Sequence, residues 1–390
     1  MFEKIMINFL SKIKILSFIT FFTLSLYSYF GPEKNLSSDS AFDTIQIFGF
    51  LIFITSTLVN DFFKNKLIYK IDLLFLLFFI SIIISSIISL NLVSIAYSLA
   101  FFLNFILITS LFQESQKDIR KSLSLLTIIL SIFLLIQFFL YGVDFGFGRN
   151  VGNFKPNQYA IIGLSIISFA MFVSLNKAFR ILFIFLGFFF ATLVLSRGSI
   201  FSIIIFLFLY QFNKFYFTSS SLRFQNFSLL ALFSIPFIYL FINQFQYIFN
   251  NIGILLELTN STRGIDSGFT GRTVLWAHAL DYAKESPLLG SGLRNLEVRT
   301  HSGYLLLLLE TGIVGIFLFL SAILRTLFLS LKALYFSYDD KVNIAIAYII
   351  SMLAYSFIER SLLLFSSPNS LTAFFFIAFL HYYNSKKIIL

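Results

Sequence analysis

Twelve nearly unbroken apolar blocks run along the chain, near 15–31, 44–60, 71–90, 93–112, 122–141, 158–175, 181–196, 199–212, 227–247, 303–324, 343–358 and 361–382. Each is flanked by charged or turn-forming residues, and most are long enough to cross a hydrocarbon core of about 30 Å as a helix. A bilayer interior holds no water to satisfy backbone groups, so each block is predicted to be helical. The pattern predicts an all-α integral membrane protein of about twelve transmembrane helices, a single polytopic domain over 1–390. Residues 248–302 form the longest interval and predict one large loop between the ninth and tenth spans. The first block follows Lys12 and Lys14 with no small-residue cleavage pattern after it, which predicts an uncleaved first span. Blocks 181–196 and 199–212 are short. Sixteen residues reach only about 24 Å, so the turn Ser196-Arg197-Gly198-Ser199 is expected slightly recessed, near headgroup depth.

Charge then orients the bundle. With the N-terminus inside and the spans alternating, the inside segments hold Lys4, Lys12, Lys14; Lys64, Lys66, Lys70; Lys117, Arg120, Lys121; Lys177, Arg180; Lys214, Arg223; Arg325, Lys332, Lys341; and Lys386, Lys387. That is 18 of the 28 basic residues. Such a bias puts both termini in the cytoplasm and the large loop outside. The net charge of +10 is therefore a topology signal and not a nucleic-acid footprint. Composition agrees: 58% of residues are hydrophobic and only 12% charged, where a soluble chain would carry about 25%. The absence of cysteine removes disulfides, thiolate metal sites and cysteine nucleophiles.

Candidate chemistry gathers on the predicted outer face. Arg197 lies in a Ser-Arg-Gly-Ser turn between apolar helices. It reads either as a snorkelling anchor or as a guanidinium fork for phosphate oxygens. Arg272 precedes an amphipathic segment, Val274 to Glu285, with Leu275, Trp276, Ala279, Leu280 and Ala283 on one face; His278, Asp281, Lys284 and Glu285 fall mostly elsewhere. Arg272 and Trp276, one turn apart, point the same way. Arg299-Thr300-His301-Ser302-Gly303 runs straight into a span. His301 is the one histidine of three where a loop enters the membrane outside, since His381 lies near the inner end of the last span. An imidazole can exchange a proton near neutral pH, so His301 is a candidate base, with an interfacial hydrogen-bonding role as the plain alternative. Glu310 is expected to face the interior and pair, with Arg360 or Arg197. Gly312 and Gly315 are expected to permit close helix packing. Residues 141–158, with Asn157, read alone as a glycine-rich turn. No Walker loop, zinc spacing or paired acidic motif is present, so a site here would work with arginines and a histidine, without metal or cofactor.

The stretches Gly152-Asn153-Phe154-Lys155-Pro156-Asn157, Leu195-Ser196-Arg197-Gly198, Gly271-Arg272-Thr273…Trp276, Pro287-Leu288-Leu289-Gly290-Ser291-Gly292 and His301-Ser302-Gly303-Tyr304-Leu305…Glu310-Thr311-Gly312-Ile313-Val314-Gly315 resemble, in order and spacing, the O-antigen ligase and polymerase superfamily. Ser302 departs from the asparagine many members carry there. The resemblance implies a membrane-embedded, GT-C-like glycosyltransferase of the bacterial inner membrane. It implies an inverting, metal-independent transfer of a glycan from undecaprenyl pyrophosphate on the outer side. The acceptor would be a hydroxyl of lipid A core or of another glycan. On this pattern Arg197 and Arg272 grip the pyrophosphate and His301 acts on the acceptor hydroxyl, with Glu310, Arg299, Arg360, Asn157 and Trp276 in support. Ligase and repeat-unit polymerase share this donor chemistry, and the histidine tilts the reading to ligase. A lipid-linked sugar transporter is disfavoured, because polar residues and broken helices at mid-span are expected there.

Overall fold

The computed structural model describes residues 2–30, 39–64, 71–141, 156–173, 176–193, 196–218, 268–294, 300–359 and 367–387. The described residues form twelve α-helices and no strand: α1 (Phe2–Phe30), α2 (Asp39–Phe63), α3 (Leu73–Ile88), α4 (Leu92–Leu111), α5 (Gln116–Tyr141), α6 (Pro156–Phe172), α7 (Lys177–Leu193), α8 (Arg197–Phe217), α9 (Gly268–Ala283), α10 (Gly303–Phe336), α11 (Asp340–Tyr355) and α12 (Pro368–Lys387). Six of them, α1, α2, α4, α5, α8 and α10, are long and apolar enough to cross a membrane, and α3 and α6 are shorter apolar helices. The predicted block 227–247 and the large loop up to residue 267 lie outside the described residues.

Helix starts are written locally. Asp72, Asn91 and Asp339 each accept a backbone N–H of the following turn as the N-caps of α3, α4 and α11. Burial then sorts the helices. In α6, α11 and α12 most of the described apolar residues are buried, as expected of central helices. The outer helices turn large apolar side chains outward: Phe48, Phe208 and Phe317 are 63%, 64% and 67% exposed. Exposed aromatic surface on so many helices is tolerable only against lipid. The protein is thus a multi-pass membrane protein. Phenylalanines fill the centre, where Phe169, Phe172 and Phe375 pack edge-on and Phe112 joins Phe375 at 4.9 Å between centroids. Where α6 crosses α7, a Cβ on Gly163 would stand 2.3 Å from the Gly187 carbonyl oxygen, so that crossing requires glycine.

Side-chain bonds show which helix ends lie together. Arg325 meets Asp72 at 3.3 Å, Tyr210 donates to Asp340 at 2.9 Å, and Asn384 bonds Ser330 at one end of the bundle. At the opposite end Gly303 N–H donates to the Ser356 carbonyl at 2.7 Å, and Tyr304 donates to the Leu353 carbonyl. These pairings match the up-and-down alternation expected from the hydropathy pattern.

Four features depart from the sequence reading. Helix α8 runs Arg197–Phe217, longer than block 199–212, so α8 is not a short span. Helix α10 extends past 324 to Phe336, and α12 begins only at Pro368, because proline favours a helix start and Ser367 caps it through Ser370 N–H. Lys14 is not a loop charge. It is fully buried, with Nζ 2.8 Å from Asp61 Oδ1, 3.3 Å from Glu114 Oε1 and 3.2 Å from the Ser110 carbonyl. Lys64 reaches the other oxygen of Glu114, and Asn60 bridges the two carboxylates. Two lysines and two carboxylates make this cluster neutral, which is what lets it be buried.

The fourth concerns Gly312. Its φ of 66° and ψ of −173° break α10 instead of merely easing helix packing. The backbone groups freed by the break are met by the segment after α9. Ser291 and Gly292 N–H donate to the carbonyls of Leu309 and Glu310 at 2.9 and 3.0 Å; Ile313 and Val314 N–H donate to the carbonyls of Pro287 and Leu288. Non-helical backbone at membrane depth is stable only when another part of the protein satisfies it in this way. The approach is so close that a Cβ on Gly312 would lie 2.2 Å from the Leu288 carbonyl oxygen. The motifs Pro287–Gly292 and Glu310–Gly315 are therefore two halves of one joint.

Candidate active site

The site forms where four segments meet at the end of the bundle marked by the Gly303–Ser356 bond. The first is the start of α10. Ser302 caps it through Leu305 N–H, and Thr300 Oγ1 accepts Ser302 N–H. This fixes His301 two residues before the helix, with its side chain 49% exposed. The second is the end of α11, where Ser356 leads to Glu359. The carboxylate of Glu359 is 6% exposed. The third is α9, whose Arg272 places Nη2 2.6 Å from Glu359 Oε1. His301 Nδ1 stands 3.9 Å from Glu359 Oε2, within ion-pair range though longer than a hydrogen bond. One buried carboxylate thus faces an arginine with one oxygen and a histidine with the other.

The start of α8 is the fourth segment. A Cβ on Gly198 would lie 3.1 Å from the Tyr355 ring and 3.3 Å from Ile358, and Ser199 bonds the Tyr355 hydroxyl. The backbone of Arg197, next to Gly198, is therefore carried to the turn that bears Glu359, while its side chain lies outside the described residues. Arg299 and Arg360 lie outside them altogether, as does the side chain of Asn157 at the start of α6.

Glu310 is not in this group. It is buried, and its Oε1 accepts the backbone N–H of Arg294 at 3.0 Å. The expected pairing with Arg197 or Arg360 rests on side chains outside the described residues. Trp276 is half-buried on α9, along with Leu275 and Ala283, and Ala279 is fully buried. Leu280, expected on the same face, is 48% exposed. Asp281 and Lys284 form an exposed pair, and burial is negligible beside the lysine contact that holds the Asp281 carboxyl below the usual carboxylate range. His381 packs among Phe75 and Phe105.

Sequence reading passed over Glu359. The signal was there in Glu359-Arg360, an acid and a base together at the end of an apolar block, but only Arg360 was singled out.

A multi-pass helical membrane protein with an Arg–Glu–His cluster at one end of its bundle is the class these features define. Residues 181–320, from α7 into α10, match the family model described as O-antigen ligase, which supports the resemblance to the O-antigen ligase and polymerase superfamily. Arg197, Arg272, His301 and Glu310 lie inside the matched segment; Asn157, Glu359 and Arg360 lie outside it. No curated protein matches the chain.

Proposed function

We propose that the protein transfers a glycan from undecaprenyl pyrophosphate to an acceptor hydroxyl, as an O-antigen ligase of the bacterial inner membrane. Both termini lie in the cytoplasm, and the site and the large loop 248–302 lie on the outer side. The observation that carries the reading is the convergence of Arg272, Glu359 and His301 on one exposed mouth beside the Arg197 turn.

The chemistry follows from the residues. Breaking a glycosidic bond to a lipid diphosphate leaves negative charge on the departing oxygens, and preorganised cations there lower the barrier. A guanidinium has five donors in a planar fork. Its contact with Glu359 fixes how Arg272 is aimed, and Arg197 joins it on the diphosphate. The donor is already activated, so no nucleotide is needed. His301 takes the proton of the attacking hydroxyl. With Nδ1 turned to Glu359, the other ring nitrogen faces the acceptor, and the carboxylate stabilises the imidazolium as it forms. Attack from the histidine side and departure on the arginine side give inversion in a GT-C-like, metal-independent transfer.

A deletion strain tests this directly through its surface glycan. Loss of all acceptor-linked glycan is expected, restored by the wild-type gene and not by His301→Ala. A single capped repeat would make the protein a repeat-unit polymerase using the same donor chemistry, and unchanged glycan would overturn glycan transfer altogether.

A further inference from the structure

The joint in α10 displays one arginine. Gly292 sits on the turn between α3 and α4, where its Cβ would lie 2.7 Å from Ser89 Oγ and 2.6 Å from Ser94 Oγ. Two residues on, Arg294 has φ 55°; across that contact, Leu90 has φ 52°. These are the two non-glycine residues with positive φ among the described residues, and they occupy two turns packed on each other. A left-handed non-glycine residue is strained and persists only where its surroundings impose it. Here the constraint is buried: Glu310 takes the Arg294 N–H, while Ser85 Oγ and Gly292 N–H hold the Glu310 carbonyl. The guanidinium carbon of Arg294 then lies 4.0 Å from the centre of the Tyr97 ring, and Nη1 donates to the Tyr97 hydroxyl. The residue itself is exposed.

A mere anchoring arginine needs none of this. A snorkelling side chain works from an ordinary helical backbone and keeps its rotamers free. The bonds that close the joint also fix the left-handed backbone from which this guanidinium projects. What it is aimed beside identifies the occupant. Leu90 and Leu92, in the adjoining turn, are 87% and 82% exposed. An exposed apolar turn next to a fixed guanidinium and a tyrosine is a two-part surface for an amphiphile. Acyl chains meet the leucines, and the headgroup phosphate meets the arginine. A soluble anion would have no use for the leucines.

We propose that Arg294 and Tyr97 form a binding site for the phosphate headgroup of a membrane lipid, at the end of the bundle that carries His301. It lies on the α3–α4 flank of α10, whereas Arg272 and Glu359 lie on the side of α11.

Native mass spectrometry of the purified full-length protein, titrated with phosphatidylglycerol and, in parallel, with diacylglycerol, tests the proposal. Arg294→Gln is expected to weaken phosphatidylglycerol binding about tenfold, the loss of one charge-assisted bond, and to leave diacylglycerol unchanged. Tyr97→Leu, which leaves every bond of the joint intact, is expected to weaken it several-fold and carries the test if the arginine variant does not fold. Equal phosphatidylglycerol binding by both variants and wild type would overturn the site. Equal loss of both lipids would make it an acyl contact without phosphate recognition. Displacement of the lipid by millimolar inorganic phosphate would make it a general anion site; either result would overturn the proposal. The readout is lipid retention, so its failure leaves the glycan-transfer reading standing.

Discussion

Glu359→Gln isolates the electrostatic part of the proposed mechanism. Glutamine keeps the size of the side chain and an oxygen that accepts from Arg272, but it removes the charge facing His301. At the observed 3.9 Å, a full charge pair is worth about 4 kcal/mol at an effective dielectric constant of 20. His301 is half exposed, and solvent screening reduces this by about half, leaving about 2 kcal/mol. In the proposed mechanism the imidazolium forms as the hydroxyl gives up its proton, so the loss falls on the transition state. The expected outcome is a fall in kcat of about 30-fold at 1.4 kcal/mol per tenfold, with KM for the lipid-linked donor little changed. Transfer would be measured with purified protein, lipid-linked donor and acceptor, at matched protein levels. An unchanged kcat would refute the pairing of Glu359 with His301. A rise in donor KM with kcat preserved would mean that Glu359 acts through Arg272 alone.

His301→Ala should cut transfer by about 10² or more while leaving donor binding nearly intact, and His301→Gln should do the same if the imidazole takes a proton; near-normal transfer by the glutamine variant would leave His301 a positioning role only. Arg272→Lys should not restore transfer lost in Arg272→Ala, because lysine lacks the planar fork that meets Glu359 and, in the proposed mechanism, a diphosphate; full activity of the lysine variant in the same assay would count against the fork. Gly312→Ala should abolish accumulation of folded protein in membranes, since the new Cβ would stand 2.2 Å from the Leu288 carbonyl oxygen at a φ of 66°; normal levels and melting would show that the joint can open. Lys14→Met should destabilise the protein by about 3–5 kcal/mol, the effect of leaving buried carboxylates unbalanced, read as a lowered Tm of the purified protein. Reporter fusions should place 61–70, 113–121, 213–226 and 325–342 in the cytoplasm, and a cytoplasmic signal at Asp266 would overturn the proposed mechanism.

The helices and their alternation were legible because water-free surroundings force one solution on any apolar block. Charge counting assumes that lysines at span ends remain in loops. Lys14 shows its limit. Nothing local distinguishes it from Lys12, and only the folding of α2 and the α4–α5 turn against α1 brings Asp61 and Glu114 to it. The candidate site divides similarly. Arg272 was visible ahead of an amphipathic segment, and His301 where a loop enters a span. Glu359 was not, because its meaning comes from partners 87 and 58 positions away in sequence. Leu280 misled because period 3.6 defines a face but not how wide a stripe the neighbour covers.

The glycine-rich motifs changed meaning most. Read as sequence, Gly290-Ser291-Gly292 is only part of a family resemblance and Gly312 a packing residue. Together they form a rigid joint, since Gly290, Gly292 and Gly312 all carry positive φ and each contacts backbone or side chains that a Cβ would overlap. The consequence reaches the site. Helix α9 runs into the loop that is knitted to α10 by backbone bonds at Leu309, Glu310, Ile313 and Val314. The helix bearing Arg272 and the helix entered through His301 therefore share one backbone connection, and a shift in either is passed to the other.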